Sequence, residues 1–384
     1  MTTLWERIQG MKEKLLVNSC TDLINLINIL PRIGGYTYQR KKVVVSFWIV
    51  HMALLFYWYL YTTVVYQMNY AGTFVDNVNS FLNISLFILI MNGSVWILRK
   101  RADIKIIIEL IQKNDDLVTE TSKFQDKKRK MLRQIQIVVI FYYIFQFVND
   151  ICIYIPSKVL SLADYTVGSC IGLEPVNKPP NRAACALIVA FQELTSIVAI
   201  VGYDVTLIFI LAHTTAMYNL LFEDLMSLDD VKTCNNSDEV SKRLRNYIAR
   251  HGFLLQTVRK IQEMYSSPIG VGFGVNAMLL SLCSFLPREL WMDFTPIVYY
   301  TLCVFFLYCL QGQRLTTASE KLERAVYCCG WEKFNSENQT LVLLMLKQSQ
   351  RPVILLAADI VPIRIYTFAK TLQAIYRFFA VFKL

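Results

Sequence analysis

Long runs of apolar residues are the feature that most limits how this chain can fold. Residues 43–68, VVVSFWIVHMALLFYWYLYTTVVYQM, contain no charged side chain. A helix needs about 20 apolar residues to cross the roughly 30 Å hydrocarbon core of a bilayer. Because similar runs recur along the chain, the sequence predicts an all-α membrane protein with seven transmembrane helices. The predicted spans are residues 43–68, 81–98, 135–155, 183 to about 217, 269–286, 297–310 and 365–384.

The distribution of charge gives these spans a direction. Only 18% of the 384 residues are charged, against about 25% in soluble proteins. The net charge of +10 would suggest a nucleic-acid partner in a soluble chain. Here, however, 32 of the Lys and Arg residues fall in four alternate segments, and four fall in the loops between them. The positive-inside rule therefore predicts a cytoplasmic N-terminus, an extracellular C-terminus and no nucleic-acid partner, the reverse of a G-protein-coupled receptor.

The four basic segments are residues 1–42, 99–134, 217–268 and 311–364. In the first, an amphipathic stretch at 23–30 suggests a helix that skirts the membrane. Apolar positions in residues 217–268 recur at helical spacing, so spans four and five are predicted to continue as helices below the bilayer. Residues 311–364 are predicted to form cytoplasmic anchor helices. Their apolar faces require partners, either across subunits of an oligomer or within one subunit.

No motif for catalysis or for a cofactor occurs in the chain. HExxH, GxSxG, P-loop and GxGxxG sequences are absent, and the three histidines have no motif partner. No pair of cysteines has CxxC metal spacing. The sequence thus predicts neither an enzyme nor a metal site. Glycines at 270–274 lie in a span, where they favour close packing of helices. Cys170 and Cys185 fall near the predicted oxidising face and are candidates for a disulfide.

The last third of the chain carries motifs that point to a family. These are AVYCCGW at 325–331, QRP at 350–352, YTF at 366–368 and YRFF at 376–379. Together with seven spans, an inside N-terminus and a helix that closes the chain, they resemble the insect odorant receptors. One departure is Arg377, where that family usually has Ser. Gustatory receptors, the alternative, usually end in a TY…QF pattern, and this chain lacks the QF.

This resemblance implies a ligand-gated, non-selective cation channel for monovalent and divalent cations. Its subunits would form a tetramer in the plasma membrane, in the dendrite of a sensory neuron. A chain of this length without the co-receptor's cytoplasmic insertion corresponds to a ligand-tuning subunit, which assembles with the odorant co-receptor. The last helix of each subunit would line one central pore, and a small volatile odorant would bind in the outer half of each helical bundle.

The helical spacing of residues 365–384 identifies the face that would line such a pore. One face is polar or small at first and apolar near its outer end. A water-filled pore would accommodate the two cations on this face better than lipid would; the alternative is that both side chains snorkel towards the lipid headgroups. The apolar residue four positions beyond the second cation matches the family's hydrophobic gate. The predicted pore-lining residues are Thr367, Lys370, Thr371, Ala374, Arg377, Val381 and Leu384.

Candidate ligand contacts come from the outer halves of spans two, three, four and six. Aromatic and aliphatic walls suit volatile molecules, and a tyrosine hydroxyl would supply one hydrogen bond. Acids within a span are costly unless they have a partner or a function. Of the two in span four, Asp204 is predicted to be a structural hydrogen-bonding anchor. The predicted ligand-binding residues are Ile84, Phe87, Phe145, Val148, Val189, Glu193, Ile197, Tyr299, Tyr300 and Cys303.

Overall fold

The chain folds into a bundle of long α-helices, as the sequence predicts. The computed structural model describes residues 19–36, 44–69, 72–118, 122–154, 170–175, 178–229, 237–284 and 291–382. Six helical segments in these ranges are long and apolar enough to cross a membrane. The helices are α1 (Cys20–Ile27), α2 (Ile29–Ile33), α3 (Val45–Leu55), α4 (Thr62–Asn69), α5 (Phe74–Asp116), α6 (Ser122–Tyr154), α7 (Asn181–Met226), α8 (Ser237–Ser284), α9 (Trp291–Tyr327), α10 (Ser336–Ser349) and α11 (Ile365–Phe382).

Each of the first six predicted spans corresponds to one of these segments. A π-helical turn at Phe56–Tyr61 joins α3 to α4, so the two form a single span. The seventh predicted span is α11, which is 18 residues long and carries two cations. The two cations lower the mean hydropathy of α11, so it is not among the six segments that are apolar enough to cross a membrane. The predicted all-α membrane fold is confirmed with six to seven long apolar helices, where the sequence predicts seven, while the side of the membrane on which each end lies stays a prediction.

Several helices are much longer than a bilayer requires. α7 has 46 residues and α8 has 48, and a rise of 1.5 Å per residue gives each a length of about 70 Å. About half of that length is enough to cross the hydrocarbon core. The remainder is long enough for the extension that the sequence predicts between spans four and five, with α7 ending at Met226 and α8 beginning at Ser237.

Helix α7 forms the centre of the bundle. Of its most apolar stretch, 83% is buried within the chain, compared with 33–39% for the other five segments. The other segments therefore expose apolar faces, as lipid-facing helices do. On α6 this face includes Ile137, Phe141 and Ile144, which recur at helical spacing and are all exposed. The central position of α7 explains why any ionisable group on it must find its partner inside the protein.

The N-terminal helix α1 packs against the bundle. A capping box between Ser19 and Asp22 begins the helix. Its apolar face is fully buried through Leu23, Ile24 and Ile27 in the main core. The apolar side of α1 is thus covered by the protein's own helices, and the position of this stretch relative to the membrane stays a prediction.

The segment that follows α10 is not helical, and the hairpin that it forms was not predicted from the sequence. Strands β1 (Leu356–Ala357) and β2 (Val361–Pro362) form an antiparallel hairpin immediately before α11. Its turn holds Ala358 and Asp359 at φ of 50° and 57°. Non-glycine residues rarely adopt this left-handed conformation, so the sequence carries little sign of the turn. Within residues 311–364, the predicted helices correspond to the last part of α9 and to α10.

Candidate functional site

A buried carboxylate joins three helices in the middle of the bundle. Asp204 on α7 is buried and accepts hydrogen bonds from the hydroxyls of Tyr142 on α6 and of Tyr300 and Tyr308 on α9. The Tyr300 hydroxyl lies 3.3 Å from Oδ2, and Tyr308 donates to Oδ1. Buried acids persist where hydrogen bonds compensate for lost water. The prediction of Asp204 as a hydrogen-bonding anchor is confirmed, and we call this group the Asp204 cluster.

A cavity of about 60 Å³ lies beside the Asp204 cluster, between α5, α7, α8 and α9. Leu86, Leu89, Ile200, Ile269 and Val304 give it apolar walls. The polar groups of the lining include Asp204, Tyr300, Tyr308 and Asn276. An apolar cavity with a few convergent polar groups is typical of a small-molecule site. The volume is small, so a ligand larger than a few water molecules requires the lining side chains to move.

A proline shapes one wall of this cavity. Pro268 lies inside α8 and has no N–H, so the carbonyl of Met264, four residues earlier, loses its helical donor. The indole N–H of Trp96 on α5 donates to that carbonyl at 3.0 Å. The Asn92 amide, one turn away on α5, donates to the Pro268 carbonyl at 3.0 Å. The break in α8 is thus closed by side chains of α5, which holds the two helices together at the cavity.

Helix α11 has one packed face and one exposed face. On the packed face, the Phe368 ring lies edge-on to the rings of Phe305 and Phe306 on α9, at centroid distances of 5.2 and 5.4 Å. Lys370, Ala374 and Arg377 are exposed. The Lys370 ammonium lies 5.4 Å from the centre of the Tyr366 ring. Two cations on one uncovered face require water or another subunit beside them.

The hairpin that precedes α11 is bound tightly to α8. The Gln262 amide donates to the Leu356 carbonyl at 3.0 Å and to the Asp359 carboxylate at 2.7 Å. The Ser266 hydroxyl donates to the same carboxylate at 2.6 Å and accepts from the Asp359 backbone N–H at 2.7 Å. Hydrogen bonds from Ser266 and Gln262 hold the pKa of Asp359 below its ordinary value. This anchoring fixes the point at which α11 begins.

Two glycines allow the hairpin to approach the helices. A Cβ at Gly270 of α8 would lie 2.6 Å from the Ala358 Cβ, and one at Gly312 of α9 would overlap the Ile363 carbonyl oxygen. The prediction that the glycines at 270–274 favour close packing of helices is not confirmed, because Gly270 allows the close approach of the hairpin rather than of another helix. Gly274 has nothing within 4 Å of such a Cβ. The same short sequence therefore contains one glycine that the fold requires and one that it does not.

Known proteins share the sequence pattern and the helical fold of this chain. The profile of the family described as "7tm Odorant receptor" matches residues 73–376. The chain belongs to this family. The receptor is 25% identical over 148 residues to the odorant receptor coreceptor of Aedes aegypti. The aligned stretch covers 37% of this chain and 31% of that protein. It is 24% identical over 195 residues to odorant receptor 67c of Drosophila melanogaster, which is 48% of this chain and 46% of that protein.

The matched stretch thus spans less than half the length of these relatives. A solved structure covers more of the receptor. The insect olfactory receptor OR5 from Machilis hrabei, in complex with eugenol, matches 94% of this chain and 97% of its own, with a TM-score of 0.73 at 16% identity. This likeness establishes the all-α fold. The family match favours the odorant-receptor prediction over the gustatory alternative.

Of the ten predicted ligand contacts, the structure places Tyr300 in the lining of the cavity. Phe145 packs against other tyrosines, with ring centroids 6.2 Å from Tyr142 and 5.7 Å from Tyr299. Tyr299 and Val148 are more than half exposed. The remaining contacts lie elsewhere on the same helices, so a ligand role for these residues stays a prediction.

The other predicted contacts have different neighbours in the receptor. Phe87 packs edge-on to Phe56, with ring centroids 5.2 Å apart. Val189 is buried beside the disulfide that joins Cys170 to Cys185, whose Cα atoms are 5.8 Å apart. The remaining four are partly buried and are not among the residues that line the cavity: Ile84, Glu193, Ile197 and Cys303.

The sequence analysis missed the contribution of α8 to the cavity. Ile269 and Asn276 line it, and no ligand contact was predicted on that span. Two signals were available. Pro268 interrupts a helical run, and Asn92 is a polar side chain in a span. Each marks a place where neighbouring helices must satisfy a backbone group.

The predicted pore face is described in part. Thr367 and Thr371 are half-buried, and their hydroxyls donate to the carbonyls of Pro362 and Thr367 at 2.5 and 2.9 Å. Lys370, Ala374 and Arg377 are exposed on α11. The side chain of Val381 and all of Leu384 lie outside the described residues. The assignment of these residues to a pore stays a prediction.

Proposed function

We propose that this receptor is the ligand-tuning subunit of a non-selective cation channel that opens when a small volatile molecule binds. It assembles with the odorant co-receptor, as a tetramer, in the plasma membrane of a sensory dendrite. Its N-terminus is cytoplasmic and its C-terminus extracellular. Membership of the odorant receptor family and partial identity to co-receptors support this proposal.

The observation that carries the proposal is the two-sided character of α11. Its aromatic side packs on α9 through Phe368, while Lys370 and Arg377 are exposed on an apolar helix. Facing lipid, each cation would cost several kcal/mol. Facing a water-filled pore shared by several subunits, each would remain hydrated. The two positive charges oppose the passage of monovalent and divalent cations, so the subunit limits conductance without preventing it.

Ligand binding is assigned to the cavity beside the Asp204 cluster. The apolar walls suit a volatile molecule, and the polar lining includes Asn276 and the Tyr300 hydroxyl, which donates to Asp204. The similarity to a receptor solved with eugenol also supports a small organic ligand. Since the cavity is small, the ligand must bind better to a rearranged bundle than to this one, and this difference in affinity shifts the channel to its open state.

Helix α9 connects the cavity to the pore helix. Tyr300, Val304 and Tyr308 recur every four residues on the cavity side of α9. Phe305 and Phe306 lie on its adjacent face and contact Phe368 of α11. A shift of α9 caused by the ligand therefore reaches α11 through direct contact between aromatic rings.

The test is to record current from the receptor expressed in oocytes with and without the co-receptor, against a panel of volatiles. We expect a ligand-dependent cation current only when both subunits are present. Single-channel recording of Arg377→Ser should then give a higher unitary conductance, and Arg377→Lys, which keeps the charge, should match the parent. No current with any volatile, or equal conductance in all three channels, would overturn the proposal.

A further inference from the structure

Three side chains with the chemistry of metal ligands meet where α1, α5 and α7 come together. They are Cys20 at the start of α1, Asp115 near the end of α5 and His213 on α7. All three are buried, with exposed fractions of 8%, 5% and 0%. We call them the Cys20–Asp115–His213 group. They lie apart from the Asp204 cavity, and neither the pore nor the ligand site uses them.

The distances within the group fit a common ion. The His213 Nε2 atom lies 3.9 Å from the Cys20 Sγ and 3.3 Å from an Asp115 carboxylate oxygen, and all three ligand atoms lie within 4.8 Å of one another. Tetrahedral zinc with bonds of about 2.0–2.3 Å separates its ligand atoms by roughly 3.3–3.6 Å. The His213–Asp115 separation therefore already fits one ion, and the thiol of Cys20 must move inward to complete the set.

The hydrogen bonding of the group is incomplete without an ion. The Nδ1 atom of His213 has no hydrogen-bond partner within the described part of the chain, and the carboxylate oxygens of Asp115 have longer contacts of 3.3 Å to His213 Nε2 and 3.9 Å to the Lys128 ammonium. Buried polar atoms are nearly always satisfied, and an exception requires an explanation such as an ion. The same imidazole nitrogen faces both the thiol and the carboxylate, where a shared cation satisfies both.

The charges around the group are compatible with a divalent cation. A thiolate and a carboxylate together balance a charge of +2. The Lys128 ammonium lies 3.9 Å from Oδ2 of Asp115, while His213 lies against Oδ1. The carboxylate thus presents one oxygen to the ion site and the other to Lys128. Such a partner orients a metal-binding carboxylate.

We propose that Cys20, Asp115 and His213 bind one Zn²⁺ ion, which fastens the N-terminal helix to the bundle. Thiolate, imidazole and carboxylate are ligands that zinc takes in proteins, and a water molecule commonly completes such a set of three. The ion lies where α1 joins two long helices, so it stabilises the fold at a position remote from ligand binding.

The test measures metal binding by the purified full-length receptor. The protein is treated with a chelator, desalted and titrated with Co²⁺, whose bond to a thiolate gives a charge-transfer absorption. We expect one equivalent of tightly bound Co²⁺ with that absorption, displaced by Zn²⁺. Cys20→Ser should abolish the absorption. Cys328→Ser removes an exposed free thiol and should leave the absorption unchanged.

Thermal unfolding gives a second measurement that does not depend on spectroscopy. Zn²⁺ should raise the unfolding midpoint of the parent and of Cys328→Ser, and have no effect on Cys20→Ser. If Cys20→Ser folds poorly, Asp115→Asn provides the comparison, with at least tenfold weaker Zn²⁺ binding. Absence of bound metal in the parent, or equal binding in the parent and Cys20→Ser, would show only a buried His213–Asp115 ion pair and overturn the proposal.

Discussion

The Asp204 cluster allows a test of how much one hydrogen bond contributes inside this bundle. Tyr308 is the one donor to Oδ1 of Asp204 among the described residues, whereas Oδ2 accepts from both Tyr142 and Tyr300. Tyr308→Phe therefore leaves a buried carboxylate oxygen without a donor. Such a loss costs about 1–3 kcal/mol, with membrane proteins towards the lower end.

A neighbouring tyrosine provides a matched control. Tyr203 is as buried as Tyr308, with exposed fractions of 7% and 6%. Its hydroxyl has no hydrogen-bond partner among the described residues, and its ring packs against Trp96 with a centroid distance of 4.9 Å. Tyr203→Phe removes the same atom from an equally buried ring. Because no hydrogen bond is lost, we expect its stability to equal that of the parent or to exceed it slightly.

The expected difference is measurable by thermal unfolding of the purified receptor. An average unfolding entropy of roughly 2.1 cal/mol/K per residue, taken over 384 residues, converts 1 kcal/mol into about 1.2 °C. Tyr308→Phe should thus lower the midpoint by about 1–4 °C, and Tyr300→Phe by less, because Oδ2 retains a donor. Equal midpoints for Tyr308→Phe and Tyr203→Phe would refute the claim that this hydrogen bond stabilises the bundle.

Three further substitutions test other contacts. Gly270→Ala should destabilise the receptor by about 1–3 kcal/mol relative to Gly274→Ala, because only the first Cβ meets the hairpin; thermal unfolding of both variants checks this. Arg250→Met should lower the unfolding free energy by about 3–5 kcal/mol in the same assay, because it leaves the buried carboxylate of Asp224 without its ion-pair partner. Leu344→Glu on α10, where the leucine is exposed, should reduce assembly with the co-receptor in size-exclusion chromatography, whereas Gln348→Glu should not.

The extent to which the sequence predicts this fold depends on the range of the interactions. Long apolar runs indicate which segments lie in lipid, so the spans could be predicted directly from the sequence. The partners of Asp204 lie 62, 96 and 104 residues away, and Cys20 lies 193 residues from His213. Neither group has local spacing that reveals it. Asp204 was identified only because an acid in a span needs a partner.

The hairpin was missed for a different physical reason. Its two left-handed residues are Ala358 and Asp359, where glycine or asparagine would have signalled a turn. They adopt this conformation because the surrounding contacts require it. The Ala358 N–H donates to the Ser266 carbonyl at 2.7 Å, and the carboxylate of Asp359 accepts from two side chains of α8. Tertiary contacts, rather than local preference, determine the turn.

This anchored hairpin determines where α11 is able to move. The Ile363 N–H donates to the Leu355 carbonyl at 2.9 Å, and the Thr367 hydroxyl donates back to Pro362 at 2.5 Å. The beginning of α11 is therefore fixed to the hairpin, and through it to α8. Arg377 lies twelve residues beyond Ile365, or about 18 Å along the helix, so a tilt of about 10° moves it by about 3 Å. We therefore expect that a small displacement of α9, where it contacts Phe368 of α11, moves the far end of α11 the most. The family's gate is predicted at that end.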